Sequence, residues 1–170
     1  GQEPLFRFAQ INDLHVQAPL GDGDGIARLR TYARANDKCS WCVKAINEGP
    51  KTDFVLGIGD LVHGGSLERL QPDLEELKKL IEPLRPTLYP TIGNHEVVQA
   101  EGNATFELAY RKMFGDDRVS YTFEHGGLLF VMLNNSGATS VAQDIIGNRN
   151  DWLRKTLETN AGKVKVICCH

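Results

Sequence analysis

Short apolar runs alternate with segments of helical periodicity in the first half of the chain. The runs at 5–11, 54–58 and 87–92 are typical of strands, and each is followed directly by Gly or Asn. Between them, residues 26–47 contain neither Pro nor Gly, and apolar residues recur at helical spacing over 74–81. The first half therefore predicts a β-α-β-α-β order.

The next segment predicts one helix followed by a pair of strands. Residues 104–114 place apolar side chains on one side of a helix. Strands are predicted at 119–123 and 128–133, separated by His125-Gly126-Gly127. Two strands joined by a short glycine-containing turn are typical of a hairpin, so we expect an antiparallel element here.

A last helix and a last strand complete the pattern. Asn150 or Asp151 can cap the helix, and a strand over 164–169 leads directly into His170. Alternating strands and helices predict an α/β fold in which helices pack on the faces of layered sheets. Without a convincing linker, residues 1–170 are expected to form a single domain.

Composition narrows the possible partners and leaves the location open. A formal net charge of -3 with 24% charged residues gives no sign of a nucleic-acid or membrane-surface partner, and it does not indicate an oligomeric state. The longest apolar run, 128–133, is far shorter than the ~20 residues of a membrane-spanning helix. Residues 1–4 do not resemble a signal peptide, so a cytoplasmic location and export after signal-peptide removal both stay open.

Polar side chains that can bind metal follow the predicted strands. They are Asp13 and His15 after the first strand, Asp60 after the second, Asn94 and His95 after the third, and His170 after the last. Because the carboxyl ends of parallel strands meet at one edge of a sheet, we expect these side chains to lie close together. Carboxylate, imidazole and amide oxygen ligands suit Zn, Mn or Fe. The sequence therefore predicts a metal site.

The same residues form four blocks whose order resembles the calcineurin-like metallophosphoesterase superfamily. The blocks are Asp13-Leu14-His15, Gly59-Asp60 with Gly65 five residues after Asp60, Gly93-Asn94-His95-Glu96, and His170. Each block alone is a weak match, but four in order at predicted strand ends form a strong joint signal. The resemblance covers nearly the whole chain and implies a layered sheet sandwich flanked by helices.

The resemblance also implies a dinuclear metal centre that hydrolyses a phosphate monoester or diester of a small molecule. Asp13 and His15 would hold the first metal, Asp60 would bridge both, and Asn94 and His170 would hold the second. His95 would stay unligated and protonate the leaving group as a general acid. Two divalent or trivalent ions, whether Mn, Fe or Zn, would produce the attacking hydroxide.

Two departures from the family pattern affect these expectations. Glu96 stands where the family usually has Asp, and we expect it to support the loop rather than to bind metal. The family also continues to a Gly-His-x-His block that supplies one ligand to each metal, and the sequence has none after His170. We therefore expect a C-terminally incomplete domain that binds metal weakly or at one site and can lack activity. The alternative is a catalytically inactive scaffold of the same fold that binds another protein.

Other residues near the predicted edge have less specific interpretations. His63 follows Asp60 closely, but a loop histidine beside glycines is expected more often at the surface than against substrate. One of Asn134 and Asn135 is expected to orient a metal ligand. Substrate choice should depend on the loops at 16–25 and 97–103, which carry no readable code.

The cysteines are interpreted as structural residues. Cys39 and Cys42 have the spacing of a redox or zinc half-site, but they fall within a predicted helix and have no second pair, which favours core packing. Cys168 and Cys169 are neighbours on a strand, so their side chains should point to opposite faces.

Overall fold

The computed structural model describes residues 5–19, 26–97, 106–136 and 143–170. Its six strands are β1 (Phe8–Ile11), β2 (Phe54–Ile58), β3 (Thr87–Thr91), β4 (Tyr121–His125), β5 (Leu128–Met132) and β6 (Val164–Cys168). The four α-helices are α1 (Ile26–Glu48), α2 (Leu67–Ile81), α3 (Phe106–Phe114) and α4 (Gln143–Thr159). In the described part of the chain, no helix is long and apolar enough to cross a membrane.

Two three-stranded sheets form the centre of the fold. The first has the order β1-β2-β3 and is entirely parallel, as the β-α-β-α-β pattern predicted. The second has the order β4-β5-β6, with β4 and β5 antiparallel and β5 and β6 parallel. The predicted hairpin is confirmed, and its turn residues Gly126 and Gly127 both have positive φ, which suits a two-residue hairpin turn.

Strand β2 lies between two clusters of buried apolar residues, and its side chains point alternately into one cluster and the other. Phe54 packs against the second sheet, where its ring centroid lies 5.2 Å from that of Phe130, and Leu56 and Ile58 join the same apolar cluster. Val55 points to the other face and packs with apolar residues of the helices. All five residues of β2 are buried, as expected for a strand covered on both faces.

The layer of helices covers the outer face of the first sheet. Leu70, Leu74 and Leu77 of α2 and Cys39 of α1 are buried in the core cluster that includes Val55. Helix α2 begins earlier than the predicted 74–81 segment, because Ser66 caps it by accepting a hydrogen bond from the Arg69 amide. The α/β layered fold is thus confirmed as a sheet sandwich flanked by helices.

The prediction for the start of the last helix is wrong. Helix α4 already includes Gln143, so Asn150 and Asp151 lie inside it rather than at its cap. An exposed Asn or Asp inside a helix costs less than about 1 kcal/mol relative to Ala, so a strong capping residue does not have to start a helix. Asp151 accepts a hydrogen bond from Arg154 one turn later, which favours the helical position.

The structural interpretation of the cysteines agrees with the fold. Cys39 is fully buried, and burial raises the pKa of its thiol to about 12. Cys42 packs beside the same core. Cys168 is buried whereas Cys169 is exposed, so the two neighbours point to different environments.

Candidate metal centre

The loops that follow β1 and β2 run side by side. The Asp13 amide donates to the Gly59 carbonyl at 3.2 Å, and the His15 amide donates to the Asp60 carbonyl at 3.0 Å. A single parallel bridge between Val16 and Val62 continues this pairing beyond the sheet. The paired backbones therefore bring the Asp13 and His15 side chains next to Asp60.

Three of the predicted ligand residues have a left-handed backbone conformation. Asp13, His15 and Asp60 have φ values of 51°, 50° and 49°. A residue with a side chain adopts this conformation at a cost in free energy, and such residues concentrate at functional sites. Neighbouring hydrogen bonds of the two loops hold the three residues in this conformation.

The Asp60 carboxylate is the centre of a group of imidazoles. Its Oδ2 lies 3.2 Å from Nε2 of His170, 3.9 Å from Nε2 of His95 and 4.0 Å from Nε2 of His15. The Asp60 side chain is only 5% exposed, whereas the Asp13 side chain reaches the same place from a half-exposed position. Oxygen and nitrogen atoms of Asp13, Asp60 and His170 all lie within 4.8 Å of one another.

Hydrogen bonds from Nδ1 orient the rings of two of the histidines. Nδ1 of His170 donates to the Ile58 carbonyl at 3.0 Å, and Nδ1 of His95 donates to the His63 carbonyl. Both hydrogen bonds favour the tautomer in which Nε2 has a free lone pair facing Asp60.

The side chain of Asn135 holds the backbone of His170. Its Oδ1 accepts a hydrogen bond from the His170 amide at 3.1 Å, and its Nδ2 donates to the His170 carbonyl. Asn134 instead turns its Oδ1 to the Ser136 amide. Of the two asparagines considered from the sequence, Asn135 is the one that positions a candidate ligand.

The two histidines on either side of Asp60 have pKa shifts of opposite direction. Burial lowers the pKa of His15, and the nearby His95 lowers it further, so the neutral imidazole is favoured. Burial also opposes the charged form of His170, but the hydrogen bond to Ile58 and the Asp60 carboxylate raise its pKa overall. His15 Nδ1 is buried and has no hydrogen-bond partner among the described residues.

Glu96 supports the loop after β2, as expected from its position. The residue is only 2% exposed, and its Oε2 accepts from the amides of Asp60 at 2.9 Å and Gly93 at 2.7 Å. Its Oε1 accepts from the amides of Leu61 at 2.6 Å and Val62 at 3.1 Å. Burial raises the pKa of Glu96, and the backbone donors oppose that shift. The carboxylate thus joins the ends of β2 and β3 beside the candidate metal ligands.

Two glycines allow these loops to approach closely. A Cβ on Gly93 would lie 2.2 Å from the Asp60 amide nitrogen and 2.3 Å from its Oδ1. A Cβ on Gly59 would lie 2.7 Å from Cβ of His170. Side chains at either position would therefore displace candidate ligands.

Sequence reasoning set aside a residue that lies at the site. The His63 ring centroid is 5.1 Å from that of His95 and 5.9 Å from that of His15, and a nitrogen of each ring could bind one ion. The sequence feature that could have indicated this is the position of His63, three residues after Asp60 in the same loop. Asn94 is exposed beside His95 in the chain, and its role as a metal ligand stays a prediction.

Comparison with known proteins defines the class to which this fold and site belong. A model of the calcineurin-like phosphoesterase family matches residues 6–170. The chain therefore belongs to the calcineurin-like phosphoesterase family. This agrees with the resemblance inferred from the four sequence blocks.

Solved structures support the same fold. Twenty-six of their chains match. One is the purple acid phosphatase from yellow lupin (Lupinus luteus) seeds, with a TM-score of 0.51 and 19% sequence identity over 82% of this chain. The match covers 26% of the lupin chain, so this chain spans about a quarter of that protein. At this identity the likeness establishes the fold alone. No curated protein matches.

Proposed function

We propose that this chain carries the metal-binding and catalytic residues of a phosphoesterase that hydrolyses a phosphate monoester or diester. The observation that supports the proposal most directly is the convergence of three imidazoles on the buried Asp60 carboxylate. Family membership supports a metal-dependent hydrolase in general, and the loop geometry supplies candidates for each role.

The spacing of two donor atoms supports metal binding at this site. Ligand atoms that share one ion at bond lengths of about 2.0–2.2 Å lie roughly 3–3.5 Å apart, and the 3.2 Å between Asp60 and His170 is in that range. Asp13 and His15 would hold one ion, Asn94 and His170 the other, and Asp60 would contact both. When bound, the ions would polarise the phosphoryl group and activate water for attack.

His95 is the candidate general acid. Its Nδ1–H is held by the His63 carbonyl, which leaves Nε2 on the side facing the site. In the protonated ring, Nε2 can deliver a proton to the leaving oxygen of the ester. The fixed ring reduces the orientational freedom lost in reaching the transition state.

A matched pair of aspartates tests the proposal. Asp60 follows β2, whereas Asp53 precedes it and accepts a hydrogen bond from the Arg7 amide at the other end of the sheet. Asp53→Asn should leave Mn²⁺ binding near the wild-type value, because an amide oxygen still accepts that hydrogen bond. Asp60→Asn should weaken binding at least tenfold, because a neutral amide bridges two cations poorly.

Metal binding is measured by calorimetry. Turnover is measured with p-nitrophenyl phosphate, a monoester, and bis-p-nitrophenyl phosphate, a diester. In a protein extended to include the Gly-His-x-His block of the family, we expect Mn²⁺-dependent cleavage of at least one ester, with strong loss in Asp60→Asn. Equal metal affinity in the two variants would contradict the role of Asp60. In that extended protein, metal binding without cleavage of either ester would favour the inactive scaffold.

A further inference from the structure

A groove of about 560 Å³ adjoins the candidate metal centre on the side of α1. Asp13, His15 and His63 line one side, and Lys38 and Trp41 of α1 line the other. This volume lies within the range of about 300–1,000 Å³ that is usual for small-molecule sites. A phosphoryl group held at Asp13 and His15 would therefore have room for its organic part beside α1.

The indole of Trp41 is the most distinctive group in this groove. Its residue is 69% exposed, although two other α1 residues of the groove, Ala35 and Cys42, are buried or half-buried. A single exposed apolar residue is common and needs no explanation by itself. Trp41, however, shares a groove with two candidate metal ligands, which places a large aromatic face within reach of their substrate.

Lys38 adds a positive charge one helical turn before Trp41. Residues three apart lie on the same face of a helix, so the exposed ammonium group of Lys38 and the indole line the same wall. Asn12 and Asp13 add polar groups to the lining of the groove. An aromatic face beside a cation suits a flat ring with polar substituents.

We propose that the groove binds a planar aromatic group of the phosphoester substrate, with Trp41 stacked on the ring and Lys38 paired with an oxygen of the same ligand. This inference rests on the proposed function because it takes the phosphoryl group to lie at Asp13 and His15. Stacking on an aromatic side chain commonly strengthens binding about tenfold.

Non-hydrolysable ligands separate this proposal from catalysis. The chain has two tryptophans, so Trp152→Phe leaves Trp41 as the only indole and its fluorescence reports on the groove. This protein is titrated in Mn²⁺ with phenylphosphonate and ethylphosphonate, whose carbon–phosphorus bonds resist hydrolysis. The phosphonate analogues of adenosine monophosphate and ribose 5-phosphate, in which a methylene group replaces the ester oxygen, form a second pair that differs by a nucleobase.

We expect at least one aromatic ligand to quench Trp41 saturably and to bind about tenfold more tightly than its non-aromatic counterpart. Preference within the phenyl pair indicates a small aryl group, and preference within the nucleotide pair indicates a nucleobase. Equal affinities within both pairs, or no binding of any ligand, would overturn the proposal.

Substitutions on α1 complete the test by calorimetry. Trp41→Ala should remove the preference for the aromatic ligand. Because Trp41 is exposed, this variant should stay folded, which circular dichroism checks. Lys38→Gln should weaken the aromatic ligand severalfold, whereas Lys44→Gln, at another exposed position of α1, should not. An unchanged preference in Trp41→Ala would refute the stacking role. If aryl esters are hydrolysed at a rate that does not depend on Trp41, only the proposal for the groove fails. If ligands bind in a Trp41-dependent way but no ester is hydrolysed, only the proposed function fails.

Discussion

The buried carboxylate of Glu96 should contribute strongly to the stability of the fold, which the substitution Glu96→Gln tests. Its two oxygens accept hydrogen bonds from the amides of Asp60, Leu61, Val62 and Gly93. Glu96→Gln keeps the shape but replaces one oxygen with an NH₂ group. In either orientation of the amide, two backbone N–H groups lose their acceptor and face another donor.

The expected loss of stability follows from these two groups. An unsatisfied buried donor costs about 1–3 kcal/mol, so two cost about 2–6 kcal/mol. Part of this is offset because the neutral amide no longer buries a charge. We expect a net loss of about 2–4 kcal/mol, a large fraction of the 5–15 kcal/mol typical of a domain.

Urea unfolding of the metal-free chain measures this effect. With a slope of about 2 kcal/mol per molar, the midpoint of Glu96→Gln should fall by about 1–2 M. Glu75→Gln makes the same chemical change on the exposed face of α2, and its unfolding free energy should stay within about 0.5 kcal/mol of wild type. A Glu96→Gln midpoint within about 0.2 M of wild type would refute the support role of the carboxylate.

Three further predictions concern the metal bridge, a glycine and the thiols. In the protein extended to the Gly-His-x-His block, Asp60→Asn should abolish Mn²⁺-dependent turnover in steady-state assays, and near-normal turnover would contradict a bridging role. Gly93→Ala should lower the thermal midpoint by several degrees or prevent folding, because its Cβ would lie 2.2 Å from a backbone nitrogen; Gly162→Ala, with no atom within 4 Å of its Cβ, is the control. At pH 8 a thiol reagent should label exposed Cys169 rapidly and Cys39 only on unfolding, because burial raises the pKa of Cys39 to about 12. Rapid labelling of Cys39 in the native protein would contradict its place in the core.

Much of the fold could be predicted because its signals are local in the sequence. Strand β2 has the predicted bounds of 54–58, since a short apolar run followed by glycine is typical of a buried strand. Likewise, Gly126-Gly127 predicted the hairpin through the positive φ that its turn requires. The start of α4 was missed because a good capping residue is also tolerated inside a helix.

The sequence also determined which side chains approach one another at the site. Asp13, His15, Asp60, His95 and His170 each follow a strand, and the parallel arrangement of β1, β2 and β3 brings most of these ends to one edge. Strands that follow one another in the chain usually lie side by side in a sheet, and β1, β2 and β3 do so here. The roles of these residues as metal ligands and acid remain predictions.

Only the tertiary structure decided how these groups are held and what surrounds them. The left-handed backbone of Asp60, its contact with three imidazoles and its support by Glu96 depend on contacts between segments more than thirty residues apart. Likewise, His63 lies beside His95, and Trp41 lines the same groove as Asp13, only because separate segments of the chain pack together. Local sequence sets which conformations a segment prefers, but burial and mutual approach are properties of the packed chain, so the site's environment appears only when distant segments meet.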